Sequence, residues 1–238
     1  MEGLIFAAGL GTRLRPLTNS RPKALVELNG KSLLIRTIER MVGAGIKRIV
    51  INIHHFADLM RETIKSIDIP GVELIISDES ELLLDTGGGL KQASKYFTKG
   101  EAVMIHNVDI YTEIDLGELV SMYEASPKHA FMVIRQSDGG RVLRFGADNL
   151  LKGWTNTVTG EEKVSSPDFY GAENFGFCGI HIVSPEFIQC ITGNGVFSII
   201  DEYIAQAKQF QIHGYLYSGR FIDLGTPQAI KQAESFVV

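Results

Sequence analysis

Apolar residues fall along the chain in two rhythms, one continuous over strand-length runs and one repeating every three to four positions. Residues 3–8 form a short apolar run ending in glycines, and residues 47–53, 72–77 and 102–107 are rich in β-branched side chains. Runs of this length and composition predict buried strands. Between them the period changes. Residues 32–44 read as a helix with Ser32 as N-cap and Gly45 as the stop, and residues 56–67 place apolar side chains three and four apart. The order β-α-β-α-β predicts parallel strands joined by right-handed crossovers, helices on both faces, and ligands gathered at the carboxyl ends of the strands.

From about Phe131 the rhythm loosens into shorter strand candidates, separated by Asp138-Gly139-Gly140, by Asn156 and by polar residues 157–166. Residues 131–180 are therefore expected to form a β-rich insertion over the pocket. Helical periodicity returns over residues 197–208, followed by a strand at 211–217, a short segment at 221–224 and a last helix from Pro227, a favoured first-turn residue. A chain of 238 residues lies near the upper end of what one hydrophobic core serves. The expectation is one α/β domain over residues 1–238, a Rossmann-like three-layer sandwich with a mostly parallel central sheet and a small β-rich lid. No internal repeat interrupts it, and no hexapeptide pattern announces an appended β-helix.

Composition narrows the ligand classes. A hydrophobic share of 45% with 21% charged residues is ordinary for a globular protein, and the longest apolar stretches are too short and too interrupted to cross a bilayer. Glu2 stands where a secretory leader would carry positive charge, so a cytoplasmic protein is expected. Cys178 and Cys190 have no metal-ligand partner at close spacing, which supports neither a zinc site nor a disulfide framework. The formal net charge of -5 argues against nonspecific binding to nucleic acid, yet Arg13, Arg15, Arg21 and Lys23 cluster against that background. A small, highly anionic ligand suits such a patch. His54 and His55 are adjacent on a strand and point to opposite faces, so they do not share one ion. Trp154 reads as packing.

Three segments carry chemistry. The first, GLGTRLRPLT continuing into RPKALVELNGKSLL, starts at Gly9 directly after the first strand. Its glycines allow close backbone approach and its successive N–H groups can form an anion-binding nest. Leu14 in place of a third glycine excludes the dinucleotide fingerprint, and no Gly-Lys-Ser/Thr ends a P-loop. The second, His106-Asn107-Val108-Asp109, closes the strand at 102–107. Asp109 there suits either a turn or cap, or a hard divalent cation. The third is Asp223-Leu224-Gly225-Thr226-Pro227. A further glycine cluster, Leu84 to Leu90, stands at a strand-to-helix junction.

In this order, and spanning nearly the whole chain, these segments resemble the sugar-1-phosphate nucleotidyltransferase family. The resemblance implies that Ala8, Gly9, Gly11 and Thr12 cradle a nucleoside triphosphate, that Arg13 holds its β- and γ-phosphates, and that Lys23 steadies the α-phosphate. It makes Asp109 and Asp223 the ligands of Mg²⁺, and assigns Asn52 and Gly88 to base or ribose recognition. Phe177 and Gly179 resemble the strand lining the sugar pocket, with Glu173 and Asn174 just ahead of it. Arg15 and Arg21 are equally well solvated charges. The chain departs from longer members in lacking their Glu-Lys-Pro, so the cation for the sugar phosphate is open among Lys163, Lys152 and Arg135. Its shortness is closer to the compact branch that includes muramate 1-phosphate uridylyltransferases and small mannose or heptose 1-phosphate guanylyltransferases. The implied partners are an NTP (UTP or GTP) and a sugar 1-phosphate, with no nucleic acid and no membrane, for a monomer or small homo-oligomer. Two rivals stand beside this: a cytidylyltransferase acting on a non-sugar phosphate such as phosphocholine, and a noncatalytic sugar-nucleotide-binding subunit.

Overall fold

Strand β1, Glu2–Phe6, is buried at every position, as a run this apolar requires. It pairs in parallel with β4 (Arg48–Ile53) on one side and β6 (Val103–Asn107) on the other, and β5 (Glu73–Asp78) extends the sheet beyond β4. The computed structural model describes residues 1–236. Short hairpin strands β2 (Glu27–Leu28) and β3 (Lys31–Ser32) precede helix α1, Leu33–Gly43. Ser32 caps that helix, its hydroxyl accepting from the Ile35 N–H at 3.3 Å, and Gly45 follows it at φ +86.

Helices cover both faces. Helices α1, α2 (Ala57–Ser66), α4 (Leu116–Ala125) and α7 (Pro227–Glu234) set Leu34, Ile38, Met60, Leu119 and Ile230 into one core. On the opposite face α3 (Asp85–Ala93), α5 (Pro185–Gln189) and α6 (Ile199–Gln206) contribute Leu90, Phe187 and Tyr203 to a second. This is the expected three-layer sandwich. Helix α6 starts two residues later than periodicity suggests, because Ser198 caps it and the Phe197 carbonyl instead accepts the Gly87 N–H at 2.9 Å.

The β-rich region 131–180 is continuous with the central sheet. Its strands β8 (Ala130–Gln136), β9 (Arg141–Phe145), β10 (Leu151–Asn156), β11 (Glu162–Val164) and β12 (Glu173–Val183) continue the central sheet as an antiparallel wing. The join is β12, which pairs with β6, β8 and β9 and so has neighbours on both edges. Strand β13 (Ile212–Leu216) adds in parallel to β8. Apart from the sheet, β7 (Ile110–Thr112) and β14 (Phe221–Asp223) form a small antiparallel ladder, with Asp223 opposite Ile110. That ladder brings the chain's late segment to the end of β6. Among the described residues no helix is long and apolar enough to cross a membrane.

Candidate active site

At the carboxyl ends of β1, β4, β5 and β6 lies a cleft of about 440 Å³. Ala8, Gly9, Lys23, Asn107 and Asp109 line one part of it, and Phe6, Glu79, Leu83, Thr86 and Val196 another. The loop after β1 turns at Gly11, φ +62, where a β-carbon would stand 3.0 Å from side-chain atoms of Lys23 and Thr18. The Thr18 hydroxyl donates to the Gly11 carbonyl at 2.8 Å and fixes the turn. The backbone N–H groups of Gly9, Leu10, Gly11, Thr12 and Arg13 meet no acceptor among the described residues. Successive unpaired donors in one tight loop are the arrangement from which an anion nest can form.

The two cations expected to meet phosphate each face a carboxylate. Lys23, in a one-turn 3-10 helix anchored by buried Ala24, places its Nζ 2.7 Å from Asp109 Oδ2, both side chains largely buried. Arg13, exposed, stands 3.4 Å from Asp223 Oδ2. Asp223 Oδ1 accepts the Gly225 N–H at 2.8 Å, and the Leu224 N–H donates to the Asp109 carbonyl at 2.8 Å. Residues more than a hundred positions apart thus form one constellation. Beneath Asp109, buried His106 donates through Nδ1 to the Asn107 carbonyl and faces Arg40 through Nε2. Burial, reinforced by Arg40, lowers its pKa to about 3, so it is a neutral brace.

Other expected residues are placed differently. Asn52 borders the cleft, but its Oδ1 accepts from the N–H groups of Ala7 and Ala8 at 2.6 and 3.2 Å and its Nδ2 donates to Glu79 at 2.8 Å. Its amide holds the loop. Gly88 is packed closely: a β-carbon there would lie 2.3 Å from the Gly195 carbonyl, and its N–H is directed at Phe197 O, 3.3 Å away. The glycine cluster lets α3 pack closely on residues 193–197. On the wing, Glu173 is exposed and Asn174 Oδ1 accepts from Arg144 at 3.0 Å, so neither borders the cleft. Phe177 lines a neighbouring pocket of about 330 Å³ with Trp154, Lys163 and Asp201. Gly179, φ +70, touches Asn107, which does line the cleft.

Of the three cations left open for the acceptor phosphate, Lys152 pairs with Asp148 at 2.7 Å and Lys163 pairs with Asp201 at 2.5 Å. Arg135 lies over the Phe221 ring, two residues from Asp223, and makes no ion pair among the described residues. The residue sequence reasoning missed is Glu79, only 3% exposed yet lining the cleft. Its position one residue beyond β5 was the available signal, since that is where such a sheet collects ligands.

Comparisons with known proteins identify the chain's relatives. A family model described as Nucleotidyl transferase matches residues 2–147, more than half of the chain. The N-acetylmuramate alpha-1-phosphate uridylyltransferase of Caulobacter vibrioides is 31% identical over 242 aligned positions, covering 98% of this chain and 95% of that protein. The mannose-1-phosphate guanylyltransferase catalytic subunit beta of Drosophila pseudoobscura pseudoobscura is 29% identical, covering 95% of this chain and 60% of its own length. Among solved structures, HddC from Yersinia pseudotuberculosis superposes with a TM-score of 0.77 at 22% identity, covering 99% of this chain and 98% of that one, which establishes the shared fold. The chain belongs to the nucleotidyl transferase family.

Proposed function

We propose that this protein transfers a nucleoside monophosphate from UTP or GTP to a sugar 1-phosphate, releasing pyrophosphate and a nucleotide sugar. The observation that carries the reading is the Lys23–Asp109 pair lining the cleft beside Gly9, where a loop of five unpaired N–H groups begins that ends at the Arg13–Asp223 pair. Names of relatives support the base and acceptor class: one is a uridylyltransferase and another a guanylyltransferase, both of sugar 1-phosphates.

The acceptor needs no general base, because a phosphate monoester with a second pKa of about 6 is already an anionic nucleophile at neutral pH. This agrees with the site, where His106 is held neutral and His54 Nδ1 is occupied by the Glu79 carbonyl at 2.7 Å. The nest and Arg13 hold the triphosphate tail, and Lys23 sits where charge on the α-phosphate oxygens redistributes as the acceptor attacks in line. Arg135 is the cation free to meet the acceptor phosphate.

The donor set fits Mg²⁺. Asp109 and Asp223 offer hard oxygens joined through the Leu224 N–H, and each already faces a cation. Among the described residues no third ligating side chain joins them, which suits an ion that takes one or two carboxylates and completes its shell with phosphate oxygens and water. Bound there, it would neutralise charge developing on the leaving pyrophosphate. Cys178 and Cys190 are free thiols, which supports a cytoplasmic setting.

Pyrophosphate release measured with four NTPs against a panel of phosphorylated acceptors, with and without Mg²⁺, tests the reading. Release that requires a sugar 1-phosphate, UTP or GTP, and the metal is expected. Release with phosphocholine instead, or none with any pair, overturns it.

A further inference from the structure

Helix α1 carries Arg40 into a half-buried position without a carboxylate of its own. None of the ion pairs among the described residues includes it. Asp115, whose charge reaches it, spends its Oδ1 on the N–H groups of Gly117 and Glu118 at the head of α4. Burial lowers the pKa of the guanidinium, as it does for a cation that its surroundings compensate only in part. Placing such a charge in the protein is costly, so the hydrogen bonds it makes have to offset the cost.

Those bonds hold both ends of one short segment. Nη2 donates to the Ile114 carbonyl at 2.7 Å, and Nη1 stands 3.4 Å from Nε2 of His106. The buried His106 ring donates its Nδ1–H to the Asn107 carbonyl at 2.7 Å, which leaves the lone pair at Nε2 for the arginine. Between residues 107 and 114 lie Asp109 and strand β7, and the partner of β7, strand β14, ends in Asp223 opposite Ile110. A cavity of about 120 Å³, lined by Leu33, Arg40, Val108, Ile110, Tyr111 and Leu224, lies between this segment and α1. Packing therefore leaves the segment room to shift, and the polar bridge is what restrains it.

We propose that Arg40 is a positioning residue which, by bridging His106 and Ile114, holds Asp109 and, through the β7–β14 ladder, Asp223 in place for the divalent cation. This deepens the proposed function and rests on its reading of those two aspartates as metal ligands. The planar fork of a guanidinium sends N–H groups to two acceptors in fixed directions, whereas a lysine ammonium is a point charge on a flexible stem and does not reproduce them. Methionine keeps the apolar bulk of the stem and a high helix propensity, but leaves the Ile114 carbonyl and His106 Nε2 without their donor.

The test is titration calorimetry of the full chain with UTP and with GTP, with and without Mg²⁺, on the wild type, Arg40→Met and Arg40→Lys. Mg²⁺ should tighten NTP binding to the wild type by about tenfold or more, and in both variants that gain should shrink to within about twofold while metal-free affinity stays within about threefold of the parent's. At saturating NTP and sugar 1-phosphate, the Mg²⁺ concentration giving half-maximal turnover should rise by about tenfold in both. Arg40→Lys keeps the test available if the methionine variant folds poorly. Variants that melt at lower temperature yet keep the full Mg²⁺ gain would reduce Arg40 to a support of the fold, and recovery of the gain by lysine would show that charge alone matters. Either result overturns the proposal. A wild type whose NTP affinity ignores Mg²⁺ removes the metal reading and the proposal with it, and failure of both nucleotides to bind removes the functional reading itself.

Discussion

Lys23 and Asp109 neutralise one another at 2.7 Å in a cleft that belongs to neither charge alone. Two partly buried charges are tolerated there because each compensates the other. A triphosphate and its metal entering the cleft would, on the proposed function, let the lysine pass to phosphate and the aspartate to the cation, leaving neither charge unpaired. On the proposed function, Lys23→Ala should therefore lower kcat by about a hundredfold or more while shifting the NTP dissociation constant by less than about tenfold, since the contact strengthens as the α-phosphate reacts. Arg13, exposed and aimed at Asp223, would on the same proposal meet phosphates that are gripped before as well as during reaction. Its loss should appear in NTP affinity as much as in rate. Steady-state kinetics with titration calorimetry on both variants decides the matter, and a wild-type kcat for Lys23→Ala would remove the lysine from catalysis. Asp109→Asn keeps shape but withdraws the charge, so Mg²⁺-dependent turnover should fall below about one per cent. A melting temperature close to the parent's would show that folding is not the cause, and near-normal activity would refute the metal assignment.

Elements were more legible than the contacts between them. Ser32 and Gly45 announce both ends of α1, and the β-branched runs locate β4, β5 and β6, because caps and periodicity are local signals. The antiparallel wing was legible as strands but not as part of the same sheet, since β12 finds β6 across a long stretch of sequence. What Asn52 and Gly88 touch was not legible for the same reason: their neighbours Ala7, Ala8, Phe197 and Gly195 are distant in the chain. Gly179 shows how a strand irregularity reaches the site. At φ +70, it lies in the register shift between β12 and β8, and a β-carbon there would stand 2.7 Å from Asn107 Nδ2. Gly179→Ala would both strain the backbone and push Asn107 in the segment that carries Asp109. About 1–3 kcal/mol of destabilisation is expected, together with a loss of turnover of about tenfold or more from displacement near the reacting atoms. Denaturant melts and kcat on one preparation check this, and a variant with normal activity would detach the strand irregularity from the site.

For the whole molecule, the two cores meet the central sheet from opposite faces, and each has a buried histidine beside it. His106 lies with Met104 towards the first core and His181 with Ile105 towards the second. His181 takes the Tyr203 hydroxyl at Nδ1, while its Nε2 meets no partner among the described residues. A second proton would thus bury an uncompensated cation, and burial lowers the pKa of both histidines to about 3. Above the unfolded-chain value of about 6.5, folded and unfolded states both hold these rings neutral and stability is full. As pH falls below that value the unfolded chain binds protons that the folded protein refuses, so stability declines down to the folded pKa, by about 1.4 kcal/mol per pH unit for each histidine. Burial moves His213 the same way. The lowered carboxylates Asp78, Asp148 and Glu186 begin to cost stability only at lower pH, as they protonate in the unfolded chain. Urea unfolding at pH 7.0, 6.0 and 5.0 should accordingly show a progressive loss before the carboxylates titrate. His181→Gln, which keeps a polar group for Tyr203 and cannot titrate, should be less stable at pH 7 yet lose less between pH 7 and 5. An unchanged slope in that variant would show that the buried imidazole takes up its proton in the folded state.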